Sequence, residues 1–187
     1  SGLYRYIGKE FSKLKEECYD FYPRKLGSEK HMYWTIFLQN VDDIKSVKKI
    51  FYELKSDNAT KNNTCLLIEE LRLPLPNSDE DIRWSLNRLG HKLFEDYLRI
   101  CESDKSQEKD LVKIHDIKDR YENIKKEGHA FEISMLDITG RDLIDIGIPK
   151  GPRIGDTLEY LLKKVIKRPK LNQKELLIEE INKNTLV

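Results

Sequence analysis

Apolar residues recur at three- and four-residue intervals along nearly all of this chain, and the strict alternation of a half-buried strand is scarce. Ile44, Val47, Ile50, Phe51 and Leu54 form one such stripe, and Ile154, Leu158, Leu161, Leu162, Val165 and Ile166 form another. A 3.6-residue period puts these side chains on one side of a helix, where only another helix or a covering layer can take them out of water. The pattern therefore predicts an all-α fold: a helical body and a small helical tail, joined by a long charged helix.

Punctuation residues set the boundaries. The spacing predicts a first helix over Tyr4–Cys18, then helices around Lys30–Gln39, Asp42–Leu54 and Asn58–Leu71. Ser78 with Asp81 three residues on reads as the cap of the next helix, which runs through Trp84 and stops at Gly90. Another covers Leu93–Cys101. Ser106–Glu127 is long and charged, with Leu111, Ile114, Ile117 or Lys118, Tyr121 and Ile124 along one side. The expected division is a body over 3–105, a connector helix over 106–127 and a tail over 128–187. Three helices are expected in the tail: one capped by Thr139 with Asp142, one starting at Pro152 and closed by Pro169, and one capped by Asn172 with Glu175. The last would bury Leu176, Leu177 or Ile178, and Ile181. Trp34 and Trp84 fall within apolar stripes and read as core anchors.

Charge narrows the function through its distribution. The chain as a whole carries +1, so its overall field favours no partner. From Lys150 to Lys170, however, Lys150, Arg153, Lys163, Lys164, Lys167, Arg168 and Lys170 face only Asp156 and Glu159, a local net of +5. The helix starting at Gly151-Pro152-Arg153 would present free backbone N–H groups beside cations, which suits a phosphate. Lys163, Lys164 and Lys167 lie beside or opposite the apolar stripe and can share a face. The expected RNA-binding set is Lys150, Gly151, Pro152, Arg153, Lys163, Lys164 and Lys167. A solvated helix whose C-terminal cations merely complement its dipole is the plainer reading.

Other chemistry finds little support. Cys18, Cys65 and Cys101 are odd in number and far apart, which favours a reducing compartment over a disulfide frame or a zinc knuckle. No apolar run approaches the roughly 20 residues that span a bilayer, and no signal peptide is evident, so no membrane partner is expected and the cytoplasm is the expected location. The Ser1-Gly2 start, without an initiator Met, reads as a tag remnant on a piece cut from a longer protein.

The tail resembles the C-terminal end of class II tRNA nucleotidyltransferases, the bacterial CCA-adding enzymes of the poly(A) polymerase family. The resemblance rests on Asp137-Ile-Thr-Gly-Arg-Asp-Leu143, Gly147-Ile-Pro-Lys-Gly-Pro-Arg-Ile-Gly155 and Lys170-Leu-Asn172, in that order. More loosely, the segment from Arg88-Leu-Gly-His to Glu102-Ser-Asp104 resembles the family's body, there HD-related or degenerate. The resemblance implies that body and tail bind tRNA, with the tail near the elbow. It also implies that transfer of CMP and AMP from CTP and ATP belongs to an N-terminal head, with Mg²⁺ on a carboxylate pair, followed by a neck. No sequence signature of that head is found here, and none of the neck in its expected place, so no catalytic residue, cofactor or metal is expected in this chain, and it is expected to be inactive alone.

Two further matches carry less. Glu95-Asp-Tyr-Leu-Arg99 fits the Glu-Asp-x-x-Arg template of family necks, but in the wrong place. It reads instead as an exposed helix face with a Glu95–Arg99 pair worth ~0.3 kcal/mol. His115-Asp116 resembles the dipeptide of HD-type metal phosphohydrolases, yet His31, His91 and His129 sit in no informative pattern around it. A helical self-association domain without an RNA role is the alternative reading.

Overall fold

The structure is a computed structural model that describes residues 29–103 and 108–185; the expected helix over Tyr4–Cys18 lies outside them. The described residues form eight α-helices and no strand: α1 (Lys30–Leu38), α2 (Ile44–Glu53), α3 (Asn58–Leu71), α4 (Asp79–Ser103), α5 (Glu108–Glu127), α6 (Gly140–Asp145), α7 (Pro152–Lys167) and α8 (Lys174–Thr185). Short 3-10 turns occupy Ile133–Met135 and Pro169–Leu171. The chain is all-α, as its periodicity predicts.

Local chemistry explains most of these limits. Asp43 and Asp57 cap α2 and α3 by accepting from the amides of Ser46 and Thr60 at 2.9 and 2.7 Å. Ser78 Oγ accepts from the Asp81 amide at 3.1 Å ahead of α4. Three helix ends close by the same pair of reversed hydrogen bonds. Gly128 holds the left-handed C′ position after α5 at φ 65°, and Gly147 holds it after α6 at φ 99°. Lys55 does so after α2 at φ 50°, at some steric cost for a side-chain-bearing residue. At Gly90, φ 68° and ψ 173° break the helical geometry where the first segment is expected to stop, so α4 is two helical stretches that meet at a kink.

The packing divides into two compact units. One draws on residues up to Leu75 and on Arg88–Lys118; the other draws on Pro76–Asn87 and on residues from Asp119 onward. Both α4 and α5 thus contribute residues to both.

In the first unit, Leu38, Val41, Val47, Ile50, Phe51, Cys65 and Ile68 form a core against which Trp34, Phe37, Ile44 and Leu54 pack. Trp34 meets Phe51 edge-on at 5.3 Å between centroids, so it is the core anchor its stripe suggested. Buried polar groups accompany this core. His31 Nε2 lies 2.8 Å from Asp96 Oδ2, with both side chains almost wholly out of water. Glu70, 3% exposed, accepts two hydrogen bonds from Arg88 at 2.7 and 2.8 Å. These contacts correct the reading of Glu95–Arg99 as an exposed face. Asp96, Tyr97 and Leu98 are buried, and Arg99 approaches Asp96 at 3.5 Å.

The second unit holds the tail. Its core joins Leu136, Ile138 and Leu143 to Leu161, Leu162, Val165, Ile166, Leu177 and Ile181, with Trp84, Ile154, Leu158, Tyr160 and Ile178 packed against it. Of the two positions left open for α8, Leu177 is fully buried and Ile178 only partly so; Leu176, expected to be buried, is also only partly so. Arg83, itself buried, donates to the Ile166 carbonyl at 2.7 Å, satisfying an acceptor in the last turn of α7.

Candidate nucleic-acid interface

The frame of the tail is a polar network that ties together segments distant in sequence. Asn172 does not cap α8. Its Oδ1 accepts from the Asp137 amide and its Nδ2 donates to the Met135 carbonyl, both at 2.9 Å. Asp137 Oδ2 in turn accepts from the Lys174 amide at 3.1 Å, the first residue of α8. Thr139 and Asp142 form the expected capping box on α6, and the Lys174 ammonium binds the Asp142 carboxylate. Gly140 packs closely against α7: a Cβ there would stand 3.0 Å from Ile154 Cγ2, so the isoleucine side chain would have to give by a few tenths of an ångström.

The Lys174 ammonium, helped by the Thr139 hydroxyl and amide, holds the Asp142 carboxyl far below its ordinary range. A carboxyl depressed by folding adds stability above its unfolded value, about pH 4, and loses it as pH falls below that. Asp142→Asn is therefore expected to melt at lower temperature than the parent at neutral pH. The gap should narrow steadily below about pH 4. A gap equally wide in strong acid would refute this account of the network, and thermal melts over a pH series measure it.

On this frame stands the turn from Gly147 to Arg153. The Gly147 amide donates to the Ile144 carbonyl and the Ile148 amide to the Leu143 carbonyl, both at 2.9 Å. Gly151 precedes α7 at φ 130°, a backbone geometry side chains resist, and Pro152 follows as the first helical residue. The expected cradle of backbone amides is thinner than the sequence implied. Pro152 has no N–H, and the Ile154 amide donates to the Gly151 carbonyl at 3.1 Å, which leaves chiefly the Arg153 amide for a ligand. No acidic residue sits in the first turn.

Side chains then supply most of the positive character. Lys150, Arg153, Lys163 and Lys167 are exposed and make no ion pair among the described residues. Lys163 and Lys167 lie one turn apart on α7, and the exposed Arg168 and Lys170 follow. Lys164 departs from this set. It pairs with Glu180 of α8 at 3.0 Å and sits 5.2 Å from the Tyr160 ring centroid. The Glu180 carboxylate and the Tyr160 hydroxyl hold its ammonium above the usual lysine range.

A groove of about 520 Å³ runs beside the first two turns of α7, lined by Gly147, Ile148, Pro149, Arg153, Asp156, Thr157, Tyr160 and Ile181. Tyr160 was one of several scattered tyrosines in the sequence; only the placement of α8 and of the 147–149 turn makes it a groove wall. Thr157 Oγ1 donates to the Arg153 carbonyl at 2.7 Å. His115 is exposed, its Nδ1 2.7 Å from the Leu111 carbonyl. Among the described residues no group of three or more His, Cys, Asp or Glu is placed to hold a metal ion, and no helix is long and apolar enough to cross a membrane.

A family model described as tRNA nucleotidyltransferase domain 2, putative, matches residues 26–181. No curated protein and no solved structure matches the chain.

Proposed function

The chain belongs to the tRNA nucleotidyltransferase domain 2 family, and from that premise we propose that it is the tRNA-binding body and tail of a class II, CCA-adding enzyme of the cytoplasm. Its task is to hold folded tRNA near the elbow. CMP and AMP transfer is assigned to a separate head segment, and Mg²⁺ with it. One observation carries the reading: Lys150 and Arg153 at the start of α7, and Lys163 and Lys167 further along it, are exposed cations with no carboxylate partner among the described residues. Exposed cations left unpaired on one short segment suit the phosphates of an A-form backbone, which a protein reads by shape because its major-groove base edges are out of reach.

Counterion release makes such binding strongly salt-dependent. Lys150→Ala combined with Arg153→Ala is expected to weaken binding to a transcribed tRNA and to flatten the log–log salt slope by about 1 per residue removed. Titrations at several salt concentrations test this. Salt-independent binding, or an unchanged slope in the double variant, would overturn it. A concentration-dependent dimer that binds neither tRNA nor an RNA duplex would favour a self-association domain instead.

A further inference from the structure

We propose that the groove beside α7 takes one unpaired nucleotide of the bound RNA, with its base against the Tyr160 ring, its phosphate at Arg153 and a base N–H at the Asp156 carboxylate. This rests on the tRNA-binding reading and adds to it a point where the protein meets a base as well as the backbone.

Three features of the groove support the assignment. Its volume of about 520 Å³ lies within the roughly 300–1,000 Å³ of sites that enclose small ligands. Its wall carries an aromatic ring that is only partly covered, and Lys164 steadies that ring through contacts made outside the groove lining. A base stacked there would meet a surface already oriented. Third, Arg153 and Asp156 stand three residues apart on the same side of one helix, yet they form no ion pair with each other or with any described residue. Opposite charges that close, both exposed and both unspent, suit a ligand that is itself dipolar: an anionic phosphate joined to a base with hydrogen-bond donors. Bare phosphate would find Asp156 repulsive, and a stacked duplex keeps its bases from the ring. Lys150, exposed and next in sequence to the lining residue Pro149, adds a further cation to this turn.

Asp156 supplies the sharpest test, because two accounts predict opposite signs. If the groove sees only phosphates, Asp156→Asn removes a repulsive charge and tightens RNA binding. If the carboxylate accepts from a base, the same change weakens it. The experiment compares a transcribed tRNA with a blunt-ended RNA duplex, using the full chain and its variants at one salt concentration. Tyr160→Ala is expected to weaken tRNA binding about tenfold or more, the usual effect of losing one base–aromatic stack, and to leave duplex binding unchanged. Tyr160→Phe should retain the affinity, and Asp156→Asn should weaken tRNA binding alone. Since Tyr160 also packs against the core, thermal melts accompany the titrations; if the alanine variant fails to fold, the Asp156→Asn result decides.

Equal loss on both RNAs, no loss in either variant, or tighter tRNA binding by Asp156→Asn would overturn the nucleotide site and leave the tRNA-binding reading intact. A parent chain that binds neither RNA would overturn both.

Discussion

Arg88→Ala is expected to lower the unfolding free energy by about 3 kcal/mol, because it leaves a carboxylate buried without its cation. Glu70 is 3% exposed and takes two hydrogen bonds from the Arg88 guanidinium, whose own side chain is 41% exposed. The pair therefore sits at the edge of the first unit, anchored on its dry side by the carboxylate. Removing the wet partner takes two hydrogen bonds from the buried carboxylate, and the cost of keeping that charge out of water without them exceeds what the bridge itself contributes. The companion variant separates the two quantities. Replacing Glu70 by Leu in the Arg88→Ala background removes the buried charge and should recover much of the loss. Urea unfolding at neutral pH measures both. A single variant that loses less than about 0.5 kcal/mol would show that water or the other contacts of Glu70 satisfy its carboxylate without Arg88.

That pair also marks where the sequence stopped being informative. What depends on neighbours within four residues was readable: the bounds of α3, the Thr139–Asp142 box and Pro152 at the first position of α7 all follow from local spacing. What depends on a distant partner was not. Asp96 is a charged residue in a charged stretch and reads as surface; His31, 65 residues away, takes it inside. Asn172 is a residue type that often caps helices, yet its amide spans from Met135 to Asp137 because the turn before α8 passes that segment.

The candidate site divides in the same way. Its cations were countable from the sequence, but whether each is free depends on α8, where Glu180 removes Lys164 from the available set. The amide cradle was overestimated because a tight first turn turns the Ile154 N–H inward, a geometric detail that no residue type announces. Tyr160 became a candidate only when three segments were placed around it.

Helix α7 carries both the core of the tail and its positive face, so two substitutions two residues apart should have opposite consequences. Leu161 is fully buried in the tail core. Leu161→Ala removes its contacts and leaves a cavity that the surrounding helices cannot fully close, for an expected loss of about 3 kcal/mol. That is a large share of the 5–15 kcal/mol by which a domain of ordinary stability is folded. At temperatures where the variant remains folded, its tRNA affinity and salt slope should match the parent's, since no exposed cation has changed. Lys163 is exposed and has no ion-pair partner among the described residues. Lys163→Ala should leave stability within about 0.5 kcal/mol of the parent, weaken tRNA binding and reduce the salt slope by about 1. Thermal melts paired with salt-dependent titrations resolve the four outcomes. If Leu161→Ala changed the salt slope while folded, α7 would have to shift on its core to meet RNA, and the positive face would be formed by binding. If Lys163→Ala left the slope alone, the phosphate contacts would be confined to the start of the helix, at Lys150 and Arg153.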